Sequence, residues 1–356
     1  MEKFFKNLKV VELASVLAGP SVGMFFRELG AKVIKIENKK TGGDVTQIWK
    51  LPAEKAENQS AYYSNVNWKK ETRLLNLSDK KDYKKAIKEI ESADIVISNF
   101  RTESAKKLNL DYKSIKKRNP KIIYGLITGF GENSTRPAFD VVLQAESGFL
   151  YMNGKPNESP VKMPVALIDL MAAHQLKEGI LVALLKREKT GKGSKVTASL
   201  YESAIASLAN QATNWLMINH IPQPMGTQHP NIAPYGDMFE TKNGKRIVLA
   251  VGNEKQFQLL CQVLKVNELV DNSKFSTNKA RVKNRPALNE ILAKKINAFS
   301  SKKLNQLFLE NDIPFGQVKN MEEVFKNPIA QSMILKEQLP SGQLTKRVKT
   351  AIFQIK

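Results

Sequence analysis

LKVVELASVLAGPSVGMFFRELGAKVIKIE, residues 8–37, reads as one strand–helix–strand unit. LKVVELA (8–14) is an apolar run of strand length. A turn at Leu17–Ala18–Gly19 follows, and Pro20 suits the first helical position, where its missing N–H has no partner to lose. Val22, Met24, Phe25 and Leu29 recur at near-helical spacing, and Gly30 can end the helix in a left-handed conformation. AKVIKIE (31–37) is the returning strand. The pattern repeats in ETRLLNL (71–77), a charged helix over 79–92, ADIVISN (93–99), a short helix near 102–108 and KIIYGLIT (121–128). Such alternation predicts an α/β fold with a parallel sheet and helices on both faces. The first turn, LAGPSVG, lacks G-x-G-x-x-G, so NAD is disfavoured although Glu37 stands where a ribose-binding acid would. The helix N-terminus there could still hold a phosphate or adenine.

Working outward, a long amphipathic helix is expected over about 170–187, stopped by TGKG (190–193), then a strand SKVTASL (194–200) and a helix over 200–219. Residues 220–235, HIPQPMGTQHPNIAPY, hold four prolines and mark a domain boundary. Beyond them, 237–251 reads as a hairpin turning at Asn243–Gly244. Helical patterns follow near 254–264, 287–298 and 302–311, and LTKRVKTAIFQI (344–355) could be a last strand.

Composition narrows the function. The chain has 356 residues, 42% hydrophobic and 25% charged, which is ordinary globular composition and long enough for two domains. A single cysteine, Cys261, sits at helical spacing in EKQFQLLCQVL and excludes a disulfide framework. Three histidines (His174, His220, His229) make a histidine-built metal centre improbable, so no metal is expected. The start resembles no signal peptide, and no window approaches the roughly 18 apolar residues of a membrane span, so a cytoplasmic location without membrane contact is expected. The formal net charge of +22 invites nucleic acid, an anionic surface or a polyphosphate ligand. The lysines, however, are scattered as doublets among acids, without a nucleic-acid-binding signature. A solvated lysine surface, no nucleic-acid partner and an anionic small ligand fit best.

Asp169, in MPVALIDLMAA, is the outstanding chemical candidate. It is a lone carboxylate after an apolar run at the start of the long helix. Burial should raise its pKa, while the helix N-terminus favours the anion. It could equally serve as the helix cap. TGFGENS (128–134) is a glycine turn at a strand's C-terminal end, where α/β sites lie. No G-x-S-x-G elbow is present, and His229–Pro230 lies in the proline-rich linker.

These residues resemble the family III CoA-transferases, the CaiB/BaiF group that includes formyl-CoA and carnitine CoA-transferases. Residues 8–37 match that group's opening strand, AGP turn, helix and second strand. NWKKETRLLNL (67–77), ADIVISNFR (93–101), NPKIIYGLITGFG (119–131) and PAFDVVLQAESG (137–148) match further segments in order. The resemblance implies transfer of CoA from an acyl-CoA donor to a carboxylic acid acceptor, with Asp169 as nucleophile through an aspartyl anhydride and an aspartyl-CoA thioester. It implies no tightly bound cofactor, with coenzyme A or acyl-CoA as substrate. CoA contacts are implied at Leu17, Ala18, Asn38, Leu75, Asn76, Asn99, Phe100, Lys107, Leu108, Phe139 and Asp140.

Departures matter as well. Asn38 and Gln47 stand where the group often has arginines, so Lys39, Lys40, Lys69 or Lys70 would serve the phosphates. Ala138–Phe139–Asp140 replaces the G-H-D motif of the acyl-CoA racemases and epimerases, the alternative activity on this fold, so transfer is favoured. GTQHPNIAPY stands where formyl-CoA transferase has a glycine-rich flap. The implied architecture is a Rossmann-like CoA-binding domain over 1–200, completed by about 329–356, and a smaller α+β domain over 236–311. Linkers at 201–235 and 312–328 would close a ring, interlocked with a second copy as a homodimer.

Overall fold

In the computed structural model, which describes residues 4–355, the chain divides into two compact units. The first holds the residues up to Leu150, Lys162–Ile221 and the segment from Gln331 onward. The second holds Tyr151–Val161 and Pro222–Ala330.

Six parallel strands build the first unit: β1 (Lys9–Glu12), β2 (Lys32–Asn38), β3 (Glu71–Leu75), β4 (Ile95–Ser98), β5 (Ile123–Thr128) and β6 (Ser194–Ser199). Their order is β3-β2-β1-β4-β5-β6, with Val10 paired to Val33 on one side and Ile95 on the other. That is the doubly wound order whose reversal between β1 and β4 opens a crevice at the strands' C-terminal ends. Alternation along the strands feeds two cores. Val10, Ile95, Ile97 and Ile123 face a layer with Phe26, Ile168, Leu176 and Ile180, while Val11, Ile34, Val96 and Tyr124 face a layer with Ile87, Ile90 and Ile115.

The long helix spans Leu167–Thr190 and stops at Gly191, whose φ of 67° is the left-handed C-cap anticipated in TGKG. It lies close on the sheet because Gly179 faces Val196, where a Cβ would sit 2.5 Å from the valine methyl. The helix expected over 200–219 is instead two, Leu200–Ala206 and Asn210–Ile218. Ser203 and Ser207 hydroxyls donate to carbonyls four residues back, and Ala209 has a φ of 49°, so the first helix cannot run on. The helix after β1 begins at Ala18, two residues before Pro20, and ends at Glu28, with Gly30 at φ 101°.

The second unit is built on β7 (Tyr235–Glu240), β8 (Arg246–Ala250) and β9 (Phe315–Gln317), an antiparallel sheet. Gly244 turns the anticipated hairpin at φ 73°. Helices Glu254–Leu264, Arg285–Asn297 and Ser301–Glu310 cover it around Phe257, Leu288 and Phe308. Cys261 is fully buried in this core, and burial pushes its thiol up to about 12, so it is packing material. His229 packs its ring on Tyr235 and serves the turn, with Nδ1 accepting from the Asn231 N–H.

The chain then returns to the first unit as β10 (Ile334–Gln338) and β11 (Leu344–Val348), an antiparallel ribbon apart from the main sheet. Its anchor is the buried Glu28, which pairs with Arg347 at 2.8 Å and accepts the backbone N–H groups of Thr350 and Ala351. No helix among the described residues is long and apolar enough to cross a membrane.

Candidate active site

Two hollows open at the C-terminal ends of the strands, divided by the turn after β1. The smaller, of about 330 Å³, is lined by that turn (Ser15–Ala18), Asn99–Thr102, the glycine turn Thr128–Ser134, Arg136–Phe139 and Asp169. The larger, of about 1210 Å³, runs along the ends of β1–β3, with Glu37, Asn38, Lys40, Gln59, Leu75–Ser78 and Leu339–Gln343 on its walls.

Asp169 stands in the first turn of the Leu167–Thr190 helix. Among the described residues its carboxylate has no hydrogen-bond or ion-pair partner. Loss of hydration, reinforced by the negative charge of Asp140, pushes its pKa up to about 7. It is not the helix cap, which corrects the capping alternative. Ala166 occupies the N-cap position, and the missing acceptor comes from Asp140, whose Oδ1 accepts the N–H of Ile168 at 2.7 Å and of Asp169 at 3.3 Å. Asp140 itself opens the Asp140–Glu146 helix and accepts from the Gln144 amide. One carboxylate is therefore consumed by structure so that the other remains free.

The turn beside Asp169 is strained and held from below. Val16, a β-branched residue, has a φ of 71°, and its N–H donates to Asp44 at 3.1 Å. Gly19 permits the turn to fold back, since a Cβ there would fall 2.3 Å from that of Ala14. Asp44 pairs with Lys35 at 3.0 Å, and Lys35 pairs with Glu12 at 3.0 Å and donates to the Ala14 carbonyl. Glu12 in turn holds Lys70 at 2.7 Å, and all four side chains are shut off from solvent. Burial disfavours the carboxylate of Asp44, but Lys35 and the Thr46 N–H outweigh it and hold its pKa below the ordinary value. Burial brings Lys70 down to about 8.

Of the residues implied as CoA contacts, Asn38, Leu75, Asn76, Phe100 and Leu108 line the larger cleft. Leu17, Ala18, Asn99, Phe100 and Phe139 line the smaller cavity with Asp169. Phe100 and Ser15 line both. Lys107 is exposed on its helix and, like Asp140, lines neither. Asn99 grips the turn by both ends of its amide, Nδ2 donating to the Ser15 carbonyl and Oδ1 accepting the Ser15 N–H. The phosphate lysines divide sharply. Lys70 is buried with its ammonium on Glu12 and the Pro20 carbonyl, and Lys69 lies over the Trp68 ring away from the cleft. Lys39 is exposed and lines neither hollow, and Lys50, outside the expected set, lines the cleft but donates to the Lys55 and Ala56 carbonyls. Lys40 lines it with its ammonium unengaged among the described residues.

Sequence reasoning missed Tyr62 and Trp49. Tyr62, on the Ala61–Val66 helix, has its phenol pKa raised by burial and then by the charges of Asp169 and Asp140. Trp49 packs edge-on against its ring at 5.1 Å, and neither side chain lines either hollow. Nothing periodic marks residues 45–62, so only spatial proximity reveals them.

A sequence profile of CoA-transferase family III matches residues 5–355. The chain belongs to CoA-transferase family III. It is similar, at 34% identity over 355 residues, to the succinate–glutarate CoA-transferase of Agrobacterium fabrum, covering 97% of this chain and 88% of that protein. Identity to the human succinyl-CoA:glutarate CoA-transferase is 36%, over 92% of this chain and 74% of that one. Among solved structures, a CaiB/BaiF family protein from Brucella suis superposes with a TM-score of 0.88 at 33% identity, over 99% of this chain and 93% of that chain. This CoA-transferase therefore uses CoA thioesters as substrates, as its family does.

Proposed function

We propose that this transferase moves CoA between two carboxylic acids through covalent intermediates on Asp169. The observation that carries the reading is the free, desolvated carboxylate at the helix start, facing a cavity beside the glycine turn. An Asp169 oxygen attacks the donor thioester carbonyl, the C–S bond breaks and CoA thiolate leaves, giving a mixed anhydride. The thiolate then attacks the Asp169 carbonyl and releases the donor acid, leaving an aspartyl-CoA thioester. The acceptor carboxylate attacks that carbonyl, expels thiolate and forms a second anhydride. Thiolate finally attacks the acceptor's carbonyl, producing the new acyl-CoA and restoring the Asp169 carboxylate. Each step exchanges one acyl bond for another and needs no oxidant.

The larger cleft takes the nucleotide end of CoA, with Asn38, Leu75, Asn76 and Leu108 along it and Lys40 at the phosphates. Leu17, Ala18, Asn99, Phe100 and Phe139 surround the thioester. The substrates fit the dicarboxylate class, as the relatives' names suggest. Arg101 lines the smaller cavity and suits a second carboxylate, whereas Arg136 on the same wall is paired with Glu146. Phe139 offers no second base, which disfavours racemisation. A homodimer is supported by Leu216, Met217 and Ile218, exposed in a row on the Asn210–Ile218 helix at 70–79%. A cytoplasmic location remains part of the proposal.

The test is mass spectrometry after mixing with succinyl-CoA, with glutarate as acceptor in parallel turnover assays. A CoA adduct on the Asp169 peptide, lost in Asp169→Asn, is expected. Undiminished turnover by Asp169→Asn would remove the covalent route. Lys40→Ala should weaken CoA binding about tenfold, the scale of one charge-assisted contact.

A further inference from the structure

The cleft assigned to the nucleotide has one wall that the parallel sheet does not supply. The loop Ala56–Gln59 and the ribbon tip Leu339–Gln343 face it together. They are joined by one side chain. The Gln343 amide accepts the Gln59 N–H at 2.7 Å through Oε1 and donates to the Gln59 carbonyl at 3.0 Å through Nε2. Both bonds fall on the same residue, so they fix direction as well as distance, as a bridge between two strands would. The Gln59 side chain passes the constraint on by donating to the Ser64 hydroxyl at 2.8 Å, on the helix that carries Tyr62.

The rest of the ribbon is held independently. Trp68 Nε1 donates to the Lys336 carbonyl, the Lys69 N–H to Glu337, and Arg347 pairs with Glu28. Removing the Gln343 amide thus frees the tip without releasing the ribbon. The arrangement also parallels Asn99 on Ser15, the other amide that grips one backbone residue by both its groups at the edge of this cleft.

We propose that Gln343, through its two-bond grip on Gln59, is a positioning residue that sets the wall against which the nucleotide end of CoA rests. The proposal rests on the assignment of the larger cleft to the nucleotide. If the wall matters, its loss acts on the CoA substrate and leaves the acceptor acid and the chemistry alone.

Gln343→Ala is expected to raise the KM for succinyl-CoA about tenfold, with kcat and the KM for glutarate within about twofold of the parent and an unchanged melt. Gln343→Glu keeps an acceptor for the Gln59 N–H but sets a carboxylate against the Gln59 carbonyl. It should shift the same KM in the same direction. An unaltered KM for succinyl-CoA in both variants would overturn the proposal, and so would an equal rise in both KM values, which indicates general loosening. Titration with CoA alone separates this failure from that of the cleft assignment. If Lys40→Ala weakens CoA binding while the Gln343 variants do not, the grip alone is wrong. If neither residue affects CoA binding, the cleft assignment falls with it.

Discussion

Asp44 is buried and Asp169 half-buried beside the same turn, and they carry their charge in opposite ways. Asp44 is met by Lys35 and by the N–H groups of Val16 and Thr46, which keep it ionised. Asp169 is met by no partner among the described residues, and the nearest charge named beside it is another carboxylate. A buried carboxylate with every lone pair answered is a fastener. One left unanswered retains its nucleophilicity, at a cost that the rest of the fold must offset. The turn between them is where the two uses meet, since the Val16 N–H held by Asp44 belongs to the wall of the cavity that Asp169 faces.

The sharpest way to break this contrast is Asp169→Ala or Asp169→Asn. Both should lower turnover by several orders of magnitude, as deleting a covalent route does. Neither should harm the fold, because the helix cap is Asp140. Asp169→Asn should even be more stable than the parent at about pH 8. The folded-state pKa of about 7 lies above the unfolded value, so ionisation costs the parent stability as pH rises from about 4 to 7. The difference between the two melts should vanish below about pH 4. A pH-independent difference would show that Asp169 ionises as freely folded as unfolded.

Lys35→Met tests the other side. It strands Asp44 without a cation, leaves Glu12 with Lys70 alone, and should cost about 3–5 kcal/mol in chemical denaturation near neutral pH. The pH trend is reversed. Asp44 has a depressed pKa, so its contribution is present above about pH 4 and is lost as pH falls through the folded value. The gap between parent and Lys35→Met should therefore close on acidification. A cost below about 1 kcal/mol would mean that the four charges are not a fastener.

Asp140 links the two behaviours and gives the smallest effect. Asp140→Asn keeps an acceptor for the Ile168 and Asp169 N–H groups while removing a negative charge. The acid limb of the kcat/KM profile should move to lower pH, because the neighbour that raises the Asp169 pKa is gone. Asp140→Ala should do the same and lose about 0.5–2 kcal/mol of stability as well. An acid limb that stays in place in both variants would separate Asp140 from the nucleophile.

How much of the molecule was legible in the sequence follows the same division. The central strands were readable because parallel strands buried on both faces are rich in apolar residues, and VVEL, KVIKI and IIYGLIT are mainly apolar, with Glu12 and Lys35 as the charged interruptions. Asp169 was readable because a lone acid interrupts an apolar stretch. The start of its helix was not, since the cap is Asp140, across an intervening helix and loop. The break at Ala209 was hidden because alanine favours helix, and only the serine hydroxyls turned back on the chain reveal it. Lys35 reads as one polar residue in a strand, and its partners come from other segments of the chain. Trp49 and Tyr62 lie where no period organises the sequence.

The bonds between Gln59 and Gln343 span a sequence separation of 284 residues. They join a loop made early to a ribbon made after every other part of the site. A ribosome that has passed Ala330 has already produced the six strands, the Asp140 cap and Asp169. It has not produced the wall of the larger cleft. On the proposed assignment of the larger cleft to the nucleotide, an emerging chain would hold Asp169 before its CoA site is complete. The stabilisation that bound ligand confers would then be greater for chains whose ribbon has docked, so CoA would favour finished molecules over partly made ones.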